Sequence, residues 1–150
     1  MLTGVHSRHL SAAVRTGLVT GAATAGTLVG FGMGQGAPLG AFLRYGYAML
    51  GPLAGRFVSG VAVFAGIAGH LAWMVAWGAG VFLLARRYRG PVVFVVAATL
   101  AVVGAWSSRA LVPSALGAMR YGSLDGVQVT LAVLVMALAM AVGTAITREG

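Results

Sequence analysis

The sequence predicts an all-α integral membrane protein with four transmembrane helices in a compact bundle. Three observations indicate this class. Residues 57–85 contain no Asp, Glu, Lys or Arg, and this run is longer than the about 20 residues that cross a bilayer core. Only 8% of all residues are charged, whereas soluble domains carry about 25%. The tyrosines lie between the apolar runs, as in an interfacial belt: Tyr45, Tyr47, Tyr88 and Tyr121.

Four apolar runs define the predicted spans, within a single membrane domain over residues 1–150. They cover about residues 17–36, 57–85, 91–112 and 127–147. The first run is rich in glycine at four-residue intervals, a spacing that lets helix backbones approach closely in membranes. We therefore expect helix packing at Gly17, Gly21, Gly26, Gly30 and Gly34.

The segments between the runs carry arginine and tyrosine. Residues 37–56 contain Pro38 and Pro52 as well as two arginines, so we expect an interfacial segment there, between the first two spans. Arginine and tyrosine favour the headgroup region of a bilayer. The residues expected at the lipid interface are Arg44, Tyr45, Arg86, Arg87, Tyr88, Arg89, Arg120 and Tyr121.

Charge predicts the orientation. All ten basic residues are arginine, and the net charge is +8. Four spans place six arginines on the side of the termini and four on the other side. Arginine-rich short loops stay in the cytoplasm, so both termini are expected there, in a bacterial inner (plasma) membrane. Because the arginines lie singly between apolar runs, we expect lipids rather than nucleic acid as their partners.

A short motif occurs twice. Residues 39–46 and 116–122 share Leu-Gly-Ala and Arg-Tyr-Gly, which indicates either two related helical hairpins or a coincidence of composition. The first copy resembles a stretch of the small fluoride-channel family, at Gly36, Gly40, Ala41, Leu43, Arg44 and Tyr45. The chain contains no asparagine to match the pore asparagine of that family, so membership is not inferred.

His70 is the ionisable residue of the second run and a functional candidate at membrane depth. An imidazole can ligate the metal of a tetrapyrrole, haem or bacteriochlorophyll. Gly66, one turn earlier, would let a flat ring approach, and Trp73 and Trp77 could flank it. The spacing of Gly66 and His70 resembles the pigment-binding stretch of bacterial light-harvesting polypeptides. The alternative is a hydrogen bond from His70 to a threonine of the first span.

Three functions remain open. The first is a non-catalytic structural or accessory subunit of a larger membrane complex, which contacts other subunits or its own copies through Gly/Ala-rich faces. The second is tetrapyrrole binding at His70, and the third is a small channel or transporter lined by Thr20, Thr24 and Thr27. Enzymatic activity is not expected, because Asp125 and Glu149 offer no carboxylate pair. We expect Met74, Met136 and Met140 to fill gaps between helices.

Overall fold

The computed structural model describes the backbone of residues 3–85, 87–111 and 124–146, and the side chains of residues 10–85, 87–104 and 124–146. Its regular elements are all helical, which confirms the all-α class. They are α1 (Thr3–Gly34), α2 (Gly40–Leu50), a 3-10 turn (Gly51–Arg56), α3 (Ser59–Ala85), α4 (Pro91–Leu111) and α5 (Gly126–Ile146).

Within the described residues, three helices are long and apolar enough to cross a membrane. These are Leu10–Gly34, Ser59–Ala85 and Gly126–Ile146, whereas the described apolar part of α4 covers Pro91–Gly104 and is shorter. The structure therefore supports a membrane protein with several spanning helices. Its first apolar helix begins earlier than the predicted residue 17.

Local sequence explains where the helices begin and end. After α1 the chain turns at Gly36, whose φ is +70°, a conformation that glycine adopts without steric penalty. Gly90 has φ +61° and directly precedes Pro91, which suits the first position of α4. At the start of α5, the Gln128 backbone N–H donates to Asp125 Oδ1 at 2.8 Å, which caps the helix.

α1 and α3 pack antiparallel along a line of close backbone contacts. Gly17 lies against Val75 and Gly78, whereas Gly21, one turn later on α1, lies against Leu71, one turn earlier on α3. Small residues allow this approach because no side chain separates the two backbones. The pair forms the central seam of the bundle.

α4 and α5 complete the bundle around an apolar core. The core cluster joins residues of α3, α4 and α5, and it includes the buried Met74, Met136 and Met140. The prediction that these methionines fill gaps between helices is confirmed. α5 also meets α1, where Gly143 lies against Thr16.

The predicted interfacial segment contains a helix that packs against α3. α2 runs antiparallel to the first half of α3, because Gly46 lies against Ala62 whereas Phe42 lies against Gly66. The second copy of the repeated motif, and with it Arg120 and Tyr121, lies outside the described residues.

Candidate functional site

His70 lies on the buried stripe of α3. Every fourth residue of that helix turns inward, at Ala62, Gly66, His70, Met74 and Gly78. His70 is 3% exposed, so its imidazole is enclosed by helices. A polar group in this position needs a hydrogen-bonding partner, because leaving it unsatisfied in an apolar interior would be costly.

Thr24 of α1 provides that partner. His70 Nε2 lies 2.9 Å from Thr24 Oγ1, and Thr24 is itself only 4% exposed. The Thr24 hydroxyl donates to the carbonyl oxygen of Thr20 at 2.8 Å. A hydroxyl has one proton but two acceptor lone pairs. The Thr24 hydroxyl therefore has the capacity to pair with the Thr20 carbonyl and with His70 Nε2 at the same time, and the tautomer of the imidazole decides which of the two groups donates.

The sequence left two roles open for His70, a tetrapyrrole ligand or a hydrogen bond to a threonine of the first span. In the structure His70 makes the second contact, with Thr24. It joins α1 to α3 at the same seam as Gly21, one turn earlier on α1. Interhelical hydrogen bonds in membrane proteins contribute about 0.6 kcal/mol on average, with a maximum near 1.7. The bond is therefore one contribution to helix pairing beside the glycine contacts.

α2 covers the other side of the imidazole. The rings of Phe42 and His70 meet edge to face, with centroids 5.6 Å apart. Gly66, the small residue one turn before His70, lies directly against the Phe42 carbonyl oxygen. The surface that a flat macrocycle would need is thus occupied by a helix of the same chain.

The residues around His70 do not fit a tetrapyrrole in this arrangement. Ligation through Nε2 would require this atom to give up its hydrogen bond with the Thr24 hydroxyl. The approach over Gly66 would require α2 to leave α3. Gly66 and His70, which the sequence predicted as a cofactor site, are parts of a contact among α1, α2 and α3.

The two tryptophans lie away from this contact, between α3 and α4. Their rings meet edge to face with centroids 6.1 Å apart, and both pack against the apolar core cluster. The Trp77 ring also covers Gly104 of α4, where an added Cβ would be 3.1 Å from the ring. Trp73 and Trp77 therefore fill the space between helices.

The threonine stripe of α1 turns its hydroxyls onto its own backbone. Each of Thr20, Thr24 and Thr27 donates to the carbonyl four residues earlier, at 2.8 to 3.0 Å. Thr20 is fully buried. Such back-bonding is common for hydroxyl side chains in helices. The hydroxyl protons that would serve a permeating solute are already engaged.

The five glycines predicted for packing divide into two groups. Gly17 and Gly21 lie in the seam with α3, as expected of packing positions. Gly26, Gly30 and Gly34 are exposed, and an added Cβ at any of them would have nothing within 4 Å. Their face of α1 has no partner within the described part of the chain.

Sequence reasoning missed the tightest contact, between α2 and α3. The Cβ direction of Gly46 points at the Ala62 carbonyl oxygen, and that of Gly66 points at the Phe42 carbonyl oxygen. This reciprocal arrangement places Cα–H groups against carbonyl oxygens, a weak hydrogen bond that recurs at close helix interfaces. The signal in the sequence is the four-residue spacing of Ala62 and Gly66.

The predicted lipid-interface residues occupy two places. Arg44 and Tyr45 are on α2, and Arg87, Tyr88 and Arg89 are exposed in the turn between α3 and α4, whereas Arg86 lies outside the described residues.

Among the described residues there is no group of three or more His, Asp or Glu that could hold a metal ion. Comparison with family models, curated proteins and solved structures finds no match.

Proposed function

We propose that this chain is a non-catalytic structural or accessory subunit of a larger membrane protein complex, held there by the outer face of α1. The observation that carries the proposal is a stripe of α1 formed by Ala22, Gly26, Gly30 and Gly34, which we call the vacant stripe because no other residue in the described part of the chain covers its glycines. All four residues are exposed, and the three glycines have open space where a side chain would be. Another helix could approach this stripe as closely as α3 approaches Gly17.

The contrast with the other helices supports this reading. Exposed positions in the middle of α3, α4 and α5 carry alanine or a larger side chain instead of glycine: examples are Ala72, Phe64, Phe94, Val95 and Leu134. A glycine stripe gives lipid tails little to contact, whereas it lets a protein helix come close. On the inner face of α1, glycines serve such a contact.

The alternatives have weaker support. Tetrapyrrole binding at His70 would require both the Thr24 hydrogen bond and the α2 contact to open. A channel along Thr20, Thr24 and Thr27 would require hydroxyls that donate to backbone carbonyls to exchange these acceptors for solute. The packing role requires no rearrangement of the described helices.

The proposal includes a location and a topology. We place the chain in a bacterial inner membrane with α4 as the fourth span and both termini in the cytoplasm. The short α3–α4 turn, with its exposed Arg87 and Arg89, supports this orientation because arginines in short loops remain on the cytoplasmic side.

The test compares two glycine-to-leucine variants in the native membrane. Gly30→Leu fills the vacant stripe of α1, whereas Gly80→Leu makes the same change on α3, where an added Cβ also has open space. After gentle extraction, native mass spectrometry should show the wild type and Gly80→Leu released with larger subunits. Gly30→Leu should appear alone, at about the 15.1 kDa of the single chain plus the added side chain.

Two outcomes would contradict the proposal. One is release of the wild type only as the free chain. The other is a Gly30→Leu variant that still leaves the membrane with its partners. Gly21→Leu is not suitable for this test. Gly21 already lies against Leu71 of α3, so a leucine side chain there would disturb the packing of α1 on α3.

A further inference from the structure

The end of the bundle that holds the α3–α4 turn carries positive charge without a described counter-charge. Arg87 and Arg89 are exposed in the turn, and Arg15 is exposed on α1 towards the same end. None of the three makes an ion pair or side-chain hydrogen bond with another described residue. The described carboxylate, Asp125, caps α5 at the opposite end.

The antiparallel packing determines which residues share this end. Gly17, towards the start of α1, meets Gly78, towards the end of α3. Thr16 of α1 also meets Gly143, near the end of α5. The first turns of α1, the α3–α4 turn and the last turn of α5 therefore lie together, and Arg8 belongs to those first turns of α1.

The depth of the turn follows from the length of α3. Its 27 residues extend about 40 Å at 1.5 Å per residue, whereas the hydrocarbon core of a bilayer is about 30 Å thick. α3 ends at Ala85, so Arg87, Tyr88 and Arg89 lie where lipid headgroups lie. Tyr88, 47% exposed, has the amphipathic ring that favours this layer.

The turn also holds its arginines close together. The Tyr88 backbone N–H donates to the Ala85 carbonyl at 2.9 Å, and Gly90 then redirects the chain with φ +61°. The Cα atoms of Arg87 and Arg89 are separated by two peptide units, at most about 7.6 Å. Guanidinium groups bind phosphate oxygens in a bidentate way, and two of them can reach a single phosphate.

We propose that the α3–α4 turn is a binding site for the headgroup of an anionic phospholipid, with Arg87 and Arg89 on its phosphate and Tyr88 beside its glycerol. The negative end of the α3 dipole would be balanced by about half an elementary charge, so it does not account for two arginines in one turn. The site needs no protein partner and is independent of the vacant stripe on α1.

The test measures lipid preference in nanodiscs that contain equal amounts of phosphatidylglycerol and phosphatidylcholine. Lipids that stay on the protein are counted by native mass spectrometry. Within a cluster of basic residues at an anionic surface, each arginine changes binding by about fivefold. We therefore expect the preference for phosphatidylglycerol to fall about 25-fold in an Arg87→Gln/Arg89→Gln variant.

Arg56→Gln is the matched control, because Arg56 is exposed in the 3-10 turn at the opposite end of the bundle. It should change the preference by less than about twofold, since a lone arginine offers one of the two phosphate contacts. Thermal unfolding of all three proteins should coincide. The proposal is overturned if the wild type shows no preference, or if Arg56→Gln lowers it as much per arginine as the turn variant does.

Discussion

Alanine at Gly78 should weaken the bundle, whereas alanine at Gly80, two residues later on the same helix, should not. A Cβ on Gly78 would be 2.6 Å from the backbone nitrogen of Gly17, and a Cβ on Gly80 would meet nothing within 4 Å. The nitrogen belongs to the α1 backbone and cannot rotate away. α1 and α3 would therefore have to separate by several tenths of an ångström or more.

The size of the effect is given by the difference in unfolding free energy between Gly78→Ala and Gly80→Ala. Both add one methyl group to α3, so the gain in helix propensity of about 1 kcal/mol largely cancels. What remains is the overpacking at Gly78, which typically costs about 1–3 kcal/mol. A gap of 0.5–1 Å also removes about a quarter to a half of the dispersion energy of each affected contact. We expect Gly78→Ala to be less stable than Gly80→Ala by about 1–3 kcal/mol.

Unfolding in mixed micelles, followed by tryptophan fluorescence, measures this difference directly. The chain has three tryptophans, and Trp73 and Trp77 report on the core because they pack against it. The reasoning is refuted if Gly78→Ala unfolds at the same denaturant concentration as Gly80→Ala or at a higher one. That result would mean that α1 and α3 do not meet at Gly17.

Three further predictions concern the other contacts. Gly46→Ala should release α2 from α3, because its Cβ would overlap the Ala62 carbonyl; protease cleavage within residues 35–39 should then accelerate, and unchanged cleavage would argue against the contact. Thr24→Val should destabilise the fold by about 0.6–1.7 kcal/mol, since it removes the hydrogen bond between the Thr24 hydroxyl and His70 Nε2, whereas Thr24→Ser should keep that bond. Equal stability of the two variants in chemical unfolding would refute this prediction. The visible absorption spectrum of protein extracted from a tetrapyrrole-producing host should be the same for wild type and His70→Ala, and a band lost on substitution would restore the ligand hypothesis.

Much of the architecture could be predicted because apolar runs and small-residue spacing are local properties. The uncharged run over residues 57–85 corresponds to α3, and the last predicted span corresponds to α5. α1 begins at Thr3, before the start of the first predicted span at about residue 17, and Arg15 does not interrupt the helix. Arg15 is exposed on the helix, and a long arginine side chain can extend along the helix to reach the interface.

The spacing of the α1 glycines divides them into two groups, but which group meets α3 could not be predicted. Gly17 and Gly21 are four residues apart and face α3, whereas Gly26 follows Gly21 by five residues and faces outward with Gly30. In a helix of 3.6 residues per turn a five-residue step turns by about 140°, so the two groups lie on different sides of α1. Which part turns inward depends on the register with α3.

The pairing at His70 depends on the same register. Thr24 and His70 are 46 residues apart, and no local pattern selects Thr24 over Thr20 or Thr27. The contact between α2 and α3 was missed because the prolines and arginines of residues 37–56 indicated only an interfacial segment. The role of Gly46, which lets α2 pack closely on α3, depends on which residue of α3 lies opposite it.

The central claim is that the vacant stripe of α1 contacts another protein. The chain has no cysteine, so Gly30→Cys and Gly80→Cys can each carry one benzophenone maleimide in native membranes. On illumination, Gly30→Cys should form an adduct larger than the 15.1 kDa chain, whereas Gly80→Cys should remain free. The absence of an adduct at position 30, or equal adducts at both positions, would contradict the claim.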